Sequence, residues 1–110
     1  MVHATVREYE LMVVIDPNLD DTAVEALNTR INTLVTQRRG TIDSVDNWGR
    51  KRLAYPIGRF RDGIYILTRM HLPPNAVDEI ERALKLTETV IRVLLVRAEG
   101  LTPTPTPARA

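Results

Sequence analysis

The sequence contains no cysteine among its 110 residues. That absence excludes disulfide bonds, thiol nucleophiles and cysteine-based zinc sites, and it fits a reducing compartment. No apolar run approaches the ~20 residues that span a bilayer, and residues 1–6 do not resemble a signal peptide. We therefore expect a cytoplasmic protein without a membrane partner.

Residues that commonly carry catalysis or bind metals are scarce. His3 and His71 are the only histidines, and neither has a carboxylate or another histidine at ligand spacing. Ser44, the only serine, has no nearby histidine and no glycines of a nucleophile elbow. A phosphate-binding P-loop is also missing. The sequence therefore predicts no metal, no cofactor, no small-molecule substrate and no enzymatic activity.

Charge is present but unevenly distributed. The whole chain has a net charge of +1, whereas residues 38–61 contain seven cations and only two acids, Asp43 and Asp46. The seven cations are Arg38, Arg39, Arg50, Lys51, Arg52, Arg59 and Arg61. Clustered arginines suit bidentate phosphate contacts and predict salt-sensitive binding of a nucleic-acid backbone. The competing interpretation is an edge strand whose cations protect it from aggregation.

Apolar patterns predict the first half of the fold. Arg7–Ile15 alternates as a strand. An apolar stripe at helical spacing then begins after Asp20 and Asp21 and ends at Gly40. Thr22 and Glu25 have the spacing of a capping box at the start of this helix. A second strand begins at Thr41, with Ile42 and Val45 as inward candidates, and continues through the basic segment to Ile57.

The second half repeats the pattern. The segment Gly58–Gly63 predicts a polar hairpin loop bracketed by two glycines, and a third strand follows to Leu72. Pro73 and Pro74 predict a helix start, and Glu88–Arg97 is a nearly continuous apolar run typical of a last strand.

The resulting order predicts an α+β, ferredoxin-like βαββαβ sandwich over residues 7–98. Its four-stranded antiparallel sheet should have the order 4-1-3-2, with both helices on one face. Pro56 supports an edge position for the second strand, because proline cannot donate to a ladder. Residues 1–6 are expected to be an N-terminal extension, and residues 99–110 a flexible Thr/Pro-rich tail in polyproline II conformation.

Two helices cover only one face of such a sheet, yet three strands are apolar on both alternations. We expect the second face to expose an apolar patch that binds a protein partner, with Arg92 within it. The candidate partner-binding residues are Met12, Val14, Trp48, Tyr55 and Leu94. Trp48 and Tyr55 are also candidates for stacking on unpaired bases, although packing is the commoner role of such residues.

One segment is specific enough to suggest a family. Residues 48–57 read Trp-Gly-Arg-Lys-Arg-Leu-Ala-Tyr-Pro-Ile, and together with Tyr9-Glu10, Asp16-Pro17, Gly63-Ile64-Tyr65 and Val90-Ile91-Arg92 they resemble the bacterial ribosomal protein S6 family over residues 7–98. The resemblance implies a ferredoxin-like fold, no enzymatic activity, and binding to the central domain of 16S ribosomal RNA together with ribosomal protein S18 in the small subunit.

The resemblance also assigns residues. It places Arg50, Lys51 and Arg52 at the family's basic strand, Arg92 at its strand-four arginine, and Arg7 at the basic position before the first strand. Some members end in acidic tails, whereas this chain ends in threonine and proline. Two alternatives remain open: a free-standing RNA-binding or regulatory module, and a phosphate-handling enzyme such as an acylphosphatase. The arginine-bearing first loop of an acylphosphatase is missing.

Overall fold

The computed structural model describes residues 6–98 as one sheet packed against two helices. The elements are β1 (Arg7–Ile15), α1 (Asp21–Gln37), β2 (Thr41–Ile57), β3 (Phe60–Leu72), a 3-10 turn (Pro74–Ala76), α2 (Val77–Lys85) and β4 (Val90–Arg97). This order confirms the predicted ferredoxin-like α+β fold. The predicted tail, and all of the predicted extension except Val6, lie outside the described residues.

The strands lie in the order β2-β3-β1-β4, and each neighbouring pair is antiparallel. This is the predicted order, and it confirms the edge position of β2. The opposite edge is β4, so the two edge strands are separated by β3 and β1.

The core fills the space between the sheet and the two helices. The alternating residues of β1 that were predicted to share a face are all buried: Tyr9, Leu11, Val13 and Ile15. The predicted stripe of α1 is buried against them, together with Ile80 and Leu84 of α2. At the start of β2, Ile42 packs against this core, but Val45 is exposed on the edge strand. The inward prediction was therefore wrong for Val45.

The ends of α1 differ in detail from the predicted signals. The N-cap is Asp20, whose carboxylate accepts a hydrogen bond from the amide of Ala23 at 2.9 Å. The predicted capping box is wrong, because Thr22 already lies inside the helix. At the other end, Arg39 adopts the left-handed conformation with φ of 66°, so the residue that turns the chain out of the helix is Arg39 and not Gly40.

Gly40 has another role. A Cβ at this position would lie 2.6 Å from the carbonyl oxygen of His71 and 2.8 Å from a methyl of Val35. Only glycine therefore lets the end of α1 approach β3 this closely.

The connection between β2 and β3 is shorter than predicted. Only Gly58 and Arg59 form the turn, Ile57 pairs with Phe60, and the predicted six-residue loop is wrong. Gly63 is a residue of β3, where an added Cβ would collide with a methyl of Val14 on β1.

The last strand begins later than predicted. β4 begins at Val90 and not at Glu88, because a turn over Thr87–Val90 precedes it.

Candidate nucleic-acid and protein interfaces

Five cations of the predicted cluster lie together on the outer half of the β2–β3 hairpin, which we call the basic hairpin (residues 50–61). They are Arg50, Lys51, Arg52, Arg59 and Arg61, and all five are exposed. Residues 50–61 include no acid. The hairpin therefore presents a strongly cationic edge to solvent.

Two local contacts position cations of the basic hairpin. Arg50 pairs with Asp62 across the hairpin, with 3.4 Å between guanidinium nitrogen and carboxylate oxygen. Arg59 lies over the ring of Phe60, 4.9 Å from its centroid. Within residues 6–98, Lys51, Arg52 and Arg61 have no carboxylate within 4 Å. These three side chains can therefore take a phosphate without first breaking an ion pair within the described domain.

Trp48 lies where β2 is irregular, just before the basic hairpin. The register shifts between Asn47 and Gly49, Gly49 has φ of 82°, and its amide donates to the Asn47 side chain at 2.7 Å. The strand therefore has a β-bulge at this position. Trp48 is the extra residue of the bulge and is 39% exposed.

The remaining two cations of the sequence cluster lie at the other end of β2. Arg38 is half-buried, pairs with Glu79 of α2 at 2.9 Å and donates to the carbonyl of Leu34 at 3.2 Å. Arg39 is the exposed left-handed residue after α1. About ten strand residues, or roughly 30 Å, separate this pair from Arg50. The cluster seen in the sequence is thus two separate patches, and Arg38 joins the two helices.

Arg7 and Arg92 lie on different strands from the basic hairpin. Arg7 begins β1 opposite Leu72 and is half-buried. Arg92 is on edge strand β4, opposite Val14, and faces the side of the sheet that carries no helix, which we call the open face.

The basic hairpin reaches back across the open face. A guanidinium nitrogen of Arg92 donates to the hydroxyl of Tyr55 at 2.7 Å, although β2 and β4 are at opposite edges of the sheet. The register of β2 with β3 is interrupted between Arg52 and Ile57, and Leu53 within this interval is 7% exposed. The end of β2 therefore bends over the sheet.

Between this bent segment and the sheet lies an apolar cleft of about 240 Å³. Its lining consists of Met12, Val14, Leu53, Ala54, Tyr55, Ile57, Tyr65, Arg92 and Leu94. Four of the five predicted partner-binding residues line it. The fifth, Trp48, lies farther back along β2.

The accessibility of these predicted residues differs. Tyr55 is 57% exposed and Leu94 is 50% exposed, and Met12 is half-buried. Val14 is only 3% exposed, because it packs under the hairpin beside Gly63. The open face therefore offers Tyr55, Leu94 and part of Met12 to a partner, while Val14 forms the floor.

Sequence reasoning missed two features of the open face. The first is the inward bend of β2 at Leu53. Leu53 follows the cationic triplet directly, and its apolar side chain on an edge strand is the only sequence signal for this bend.

The second is a pair of contacts between charged side chains. The Nδ1 atom of His71 lies 2.7 Å from a carboxylate oxygen of Asp43, and a guanidinium nitrogen of Arg69 lies 3.4 Å from a carboxylate oxygen of Glu10. No sequence signal predicts these pairs, because they depend on the bulge at Asp43 and on strand register.

The described region offers no obvious metal site or membrane segment. Within residues 6–98, no group of three or more histidine, cysteine or acidic side chains could hold a metal ion. No helix in this same region is long and apolar enough to cross a membrane.

Comparison with known proteins gives consistent matches. The family model described as "Ribosomal protein S6" matches residues 8–97. The small ribosomal subunit protein bS6 of Symbiobacterium thermophilum is 41% identical over 91 residues, which cover 83% of this chain and 96% of that protein. The bS6 protein of Micrococcus luteus is 40% identical over 93 residues, covering 84% and 92%.

A solved structure has the same fold. The 30S ribosomal protein S6 of Thermotoga maritima superposes with a TM-score of 0.78 at 30% identity, covering 84% of this chain and 88% of that one.

Proposed function

Because the chain belongs to the ribosomal protein S6 family, whose members are structural proteins of the small ribosomal subunit in the cytoplasm, we propose that it binds the central domain of 16S ribosomal RNA together with ribosomal protein S18. Membership in the family implies ribosomal RNA and ribosomal proteins as partners. The protein acts by binding and positioning, without enzymatic activity.

The basic hairpin is the observation that supports RNA binding most directly. Its five exposed cations lie on one edge of the sheet, with no acid among residues 50–61. Cations that neutralise phosphates release bound counterions, so the affinity falls as salt rises. Arginine and lysine contacts of this kind position the RNA backbone and carry little base specificity. Arg7, Arg39 and Arg92 are further candidate contacts.

Arg38 is the weakest of the proposed RNA contacts. It already pairs with Glu79 and the end of α1, so binding a phosphate would compete with that pair. The patch formed by Arg38 and Arg39 is far enough from the basic hairpin that it would contact a different stretch of RNA.

The apolar cleft supports the protein partner. It combines an aromatic wall, Tyr55, with the accessible side chains of Met12 and Leu94. Partly exposed apolar surface of this kind marks protein interfaces more often than RNA contacts, which are predominantly polar. We assign S18 to this face and the RNA backbone to the basic hairpin.

Replacing Arg50, Lys51 and Arg52 together by alanine tests the RNA contact. The slope of log affinity against log salt should become shallower by about 2–3, because each of the three lost phosphate contacts removes ~0.7–0.9 from it. The measurement is binding of a 16S central-domain fragment, with S18 present, at several salt concentrations.

The matched control replaces Arg30, Arg82 and Lys85 by alanine. These cations lie on the helices, and the change in net charge is the same. An equal effect of both triple variants on the slope would refute a specific role of the basic hairpin. If the wild-type protein stayed at the top of a sucrose gradient at low salt, while S18 moved with the small subunit, ribosomal membership would be the wrong function.

Leu94→Gln tests the protein contact. Affinity for S18 in the absence of RNA should fall roughly tenfold, as for a moderately important interface residue. Glutamine is preferred to glutamate, which would pair with Arg92 on the same face. Leu86→Gln is the control, because Leu86 is also exposed but lies after α2. Unchanged affinity in Leu94→Gln would exclude this face as the S18 site.

A further inference from the structure

One charged residue lies in otherwise apolar surroundings on the open face. Among the described residues that line the apolar cleft, Arg92 is the only charged one. Within residues 6–98, no carboxylate lies within 4 Å of its guanidinium group. The next acid along β1 on this face, Glu10, already pairs with Arg69 at 3.4 Å. The charge of Arg92 therefore has no counter-ion within the described domain.

A hydrogen bond fixes where this charge is presented. A guanidinium nitrogen of Arg92 donates to the hydroxyl oxygen of Tyr55 at 2.7 Å, and this is the one side-chain hydrogen bond that Arg92 makes within residues 6–98. The other guanidinium N–H groups and the Tyr55 O–H remain able to donate. These donors lie together at the rim of the cleft and match a carboxylate, whose two oxygens only accept.

The surroundings of Arg92 favour a protein carboxylate over an RNA phosphate. Arg92 lies opposite Val14, which is buried, and two residues before Leu94, which is 50% exposed. A ligand that reaches Arg92 must therefore cover apolar surface. Interfaces with nucleic acid are strongly polar, whereas the centre of a protein interface is apolar and holds few charged residues. A single ion pair bordered by apolar side chains is typical of the second kind.

The size of the cleft fits one large side chain. A cavity of ~150 Å³ is enough to bind benzene, and the cleft measures about 240 Å³. Its lining includes the rings of Tyr55 and Tyr65, which suit an aromatic or branched side chain. Anchors of this kind, seated in a pocket, carry most of the energy of many protein interfaces. A segment with one large apolar residue beside an acid therefore matches both the cleft and Arg92.

We propose that the apolar cleft takes one large apolar side chain of the protein partner, and that Arg92, held by Tyr55, pairs with a carboxylate beside that side chain. The inference rests on the proposed assignment of S18 to the open face, and it names the chemistry by which the partner is recognised. Arg92 then contacts protein, while the basic hairpin contacts the RNA backbone.

A small molecule that joins a ring to a carboxylate tests the proposal on the full chain alone. The probes are hydrocinnamate and its neutral amide, titrated while the methyl signals of Met12 and Leu94 are followed by NMR. Both should move these signals, and the carboxylate should bind about three- to fivefold more tightly, as expected for a partly exposed ion pair. Arg92→Gln should abolish this difference. Arg30→Gln on α1 changes the net charge equally and should preserve it.

Three results would overturn the proposal. One is equal affinity of the wild-type chain for the carboxylate and the amide. Another is binding of dimethyl phosphate at Arg92 as tight as that of hydrocinnamate, which would make Arg92 a contact for the RNA backbone. The third is a chain that sediments as a dimer and becomes a monomer in Arg92→Gln, because the carboxylate would then come from a second copy.

Binding of S18 without RNA separates this inference from the proposed function. Arg92→Gln should lower the affinity for S18 about three- to fivefold and make it less sensitive to salt, since an ion pair is lost. If Leu94→Gln weakened S18 binding and Arg92→Gln did not, the inference would be wrong and the proposed function would stand. If S18 did not bind the chain at all, the proposed function would fail, and the recognition of S18 through Arg92 would fail with it.

Discussion

The two faces of the sheet use similar side chains in different surroundings. On the helix-covered face, Leu11 and Ile66 are completely buried. On the open face, Leu94 is half-exposed and Met12 is half-buried. Burial of apolar area contributes about 25 cal/mol per Å². The helix-covered face therefore provides most of the folding energy, and the open face keeps apolar area available for binding.

The open face is itself divided. At one end the bent segment of β2 covers Val14 with Leu53, and both are buried although no helix lies over them. Beyond this segment, Leu94 and Val96 remain exposed. The part of the open face under the hairpin belongs to the folded core, and only the rest is a candidate interface.

The largest predicted difference between the faces comes from truncating one leucine on each. Leu11→Ala should destabilise the domain by about 2–5 kcal/mol, because it leaves a cavity in a closed core. Leu94→Ala should cost about 1 kcal/mol or less, since half of that side chain is already in water. Urea unfolding of both variants measures the difference. Equal losses would mean that the open face contributes to the core as strongly as the helix-covered face.

The covered part of the open face should respond at an intermediate level. Gly63→Ala places a Cβ against the methyl of Val14, and overpacking of this kind costs about 1–3 kcal/mol. The double variant Gly63→Ala with Val14→Ala should lose less than the sum of the two single losses, because removing the valine methyls relieves the collision. The same urea unfolding series gives all three values. Strict additivity would show that the two strands adjust without strain.

Local patterns predicted the elements and their order because each pattern reports one face of one element. The alternation in Arg7–Ile15 and the apolar stripe in α1 could be recognised without knowing which distant residues they contact.

The length of the β2–β3 turn was predicted wrongly because Gly58 and Gly63 look alike in sequence. Gly58 is required by its φ of 58°, whereas Gly63 is required by contact with Val14, 49 positions earlier.

The candidate sites were only partly predictable for the same reason. Arg38 and Arg50 are close in sequence, but an extended strand of about 3.3 Å per residue carries them apart. Tyr55 and Arg92 are far apart in sequence and form a hydrogen bond. Which cations gather, and which apolar residues form the cleft, depends on bulges and bends whose positions the residue pattern marks only weakly.

The smallest predicted effect concerns that hydrogen bond. Tyr55→Phe removes the hydroxyl that accepts from Arg92, and because both side chains are exposed the loss should be only about 0.5–1 kcal/mol. This loss should appear as local opening of the bent segment, with amide exchange in residues 53–57 about two- to fivefold faster and global unfolding almost unchanged. Tyr65→Phe is the matched control, since no hydrogen bond from the Tyr65 hydroxyl is seen to residues 6–98. Faster exchange in the Tyr55 variant alone would show that Arg92 holds the hairpin over the open face. Equal exchange in the two variants would mean that apolar packing around Leu53, and not the hydrogen bond to Arg92, holds the bent segment in place.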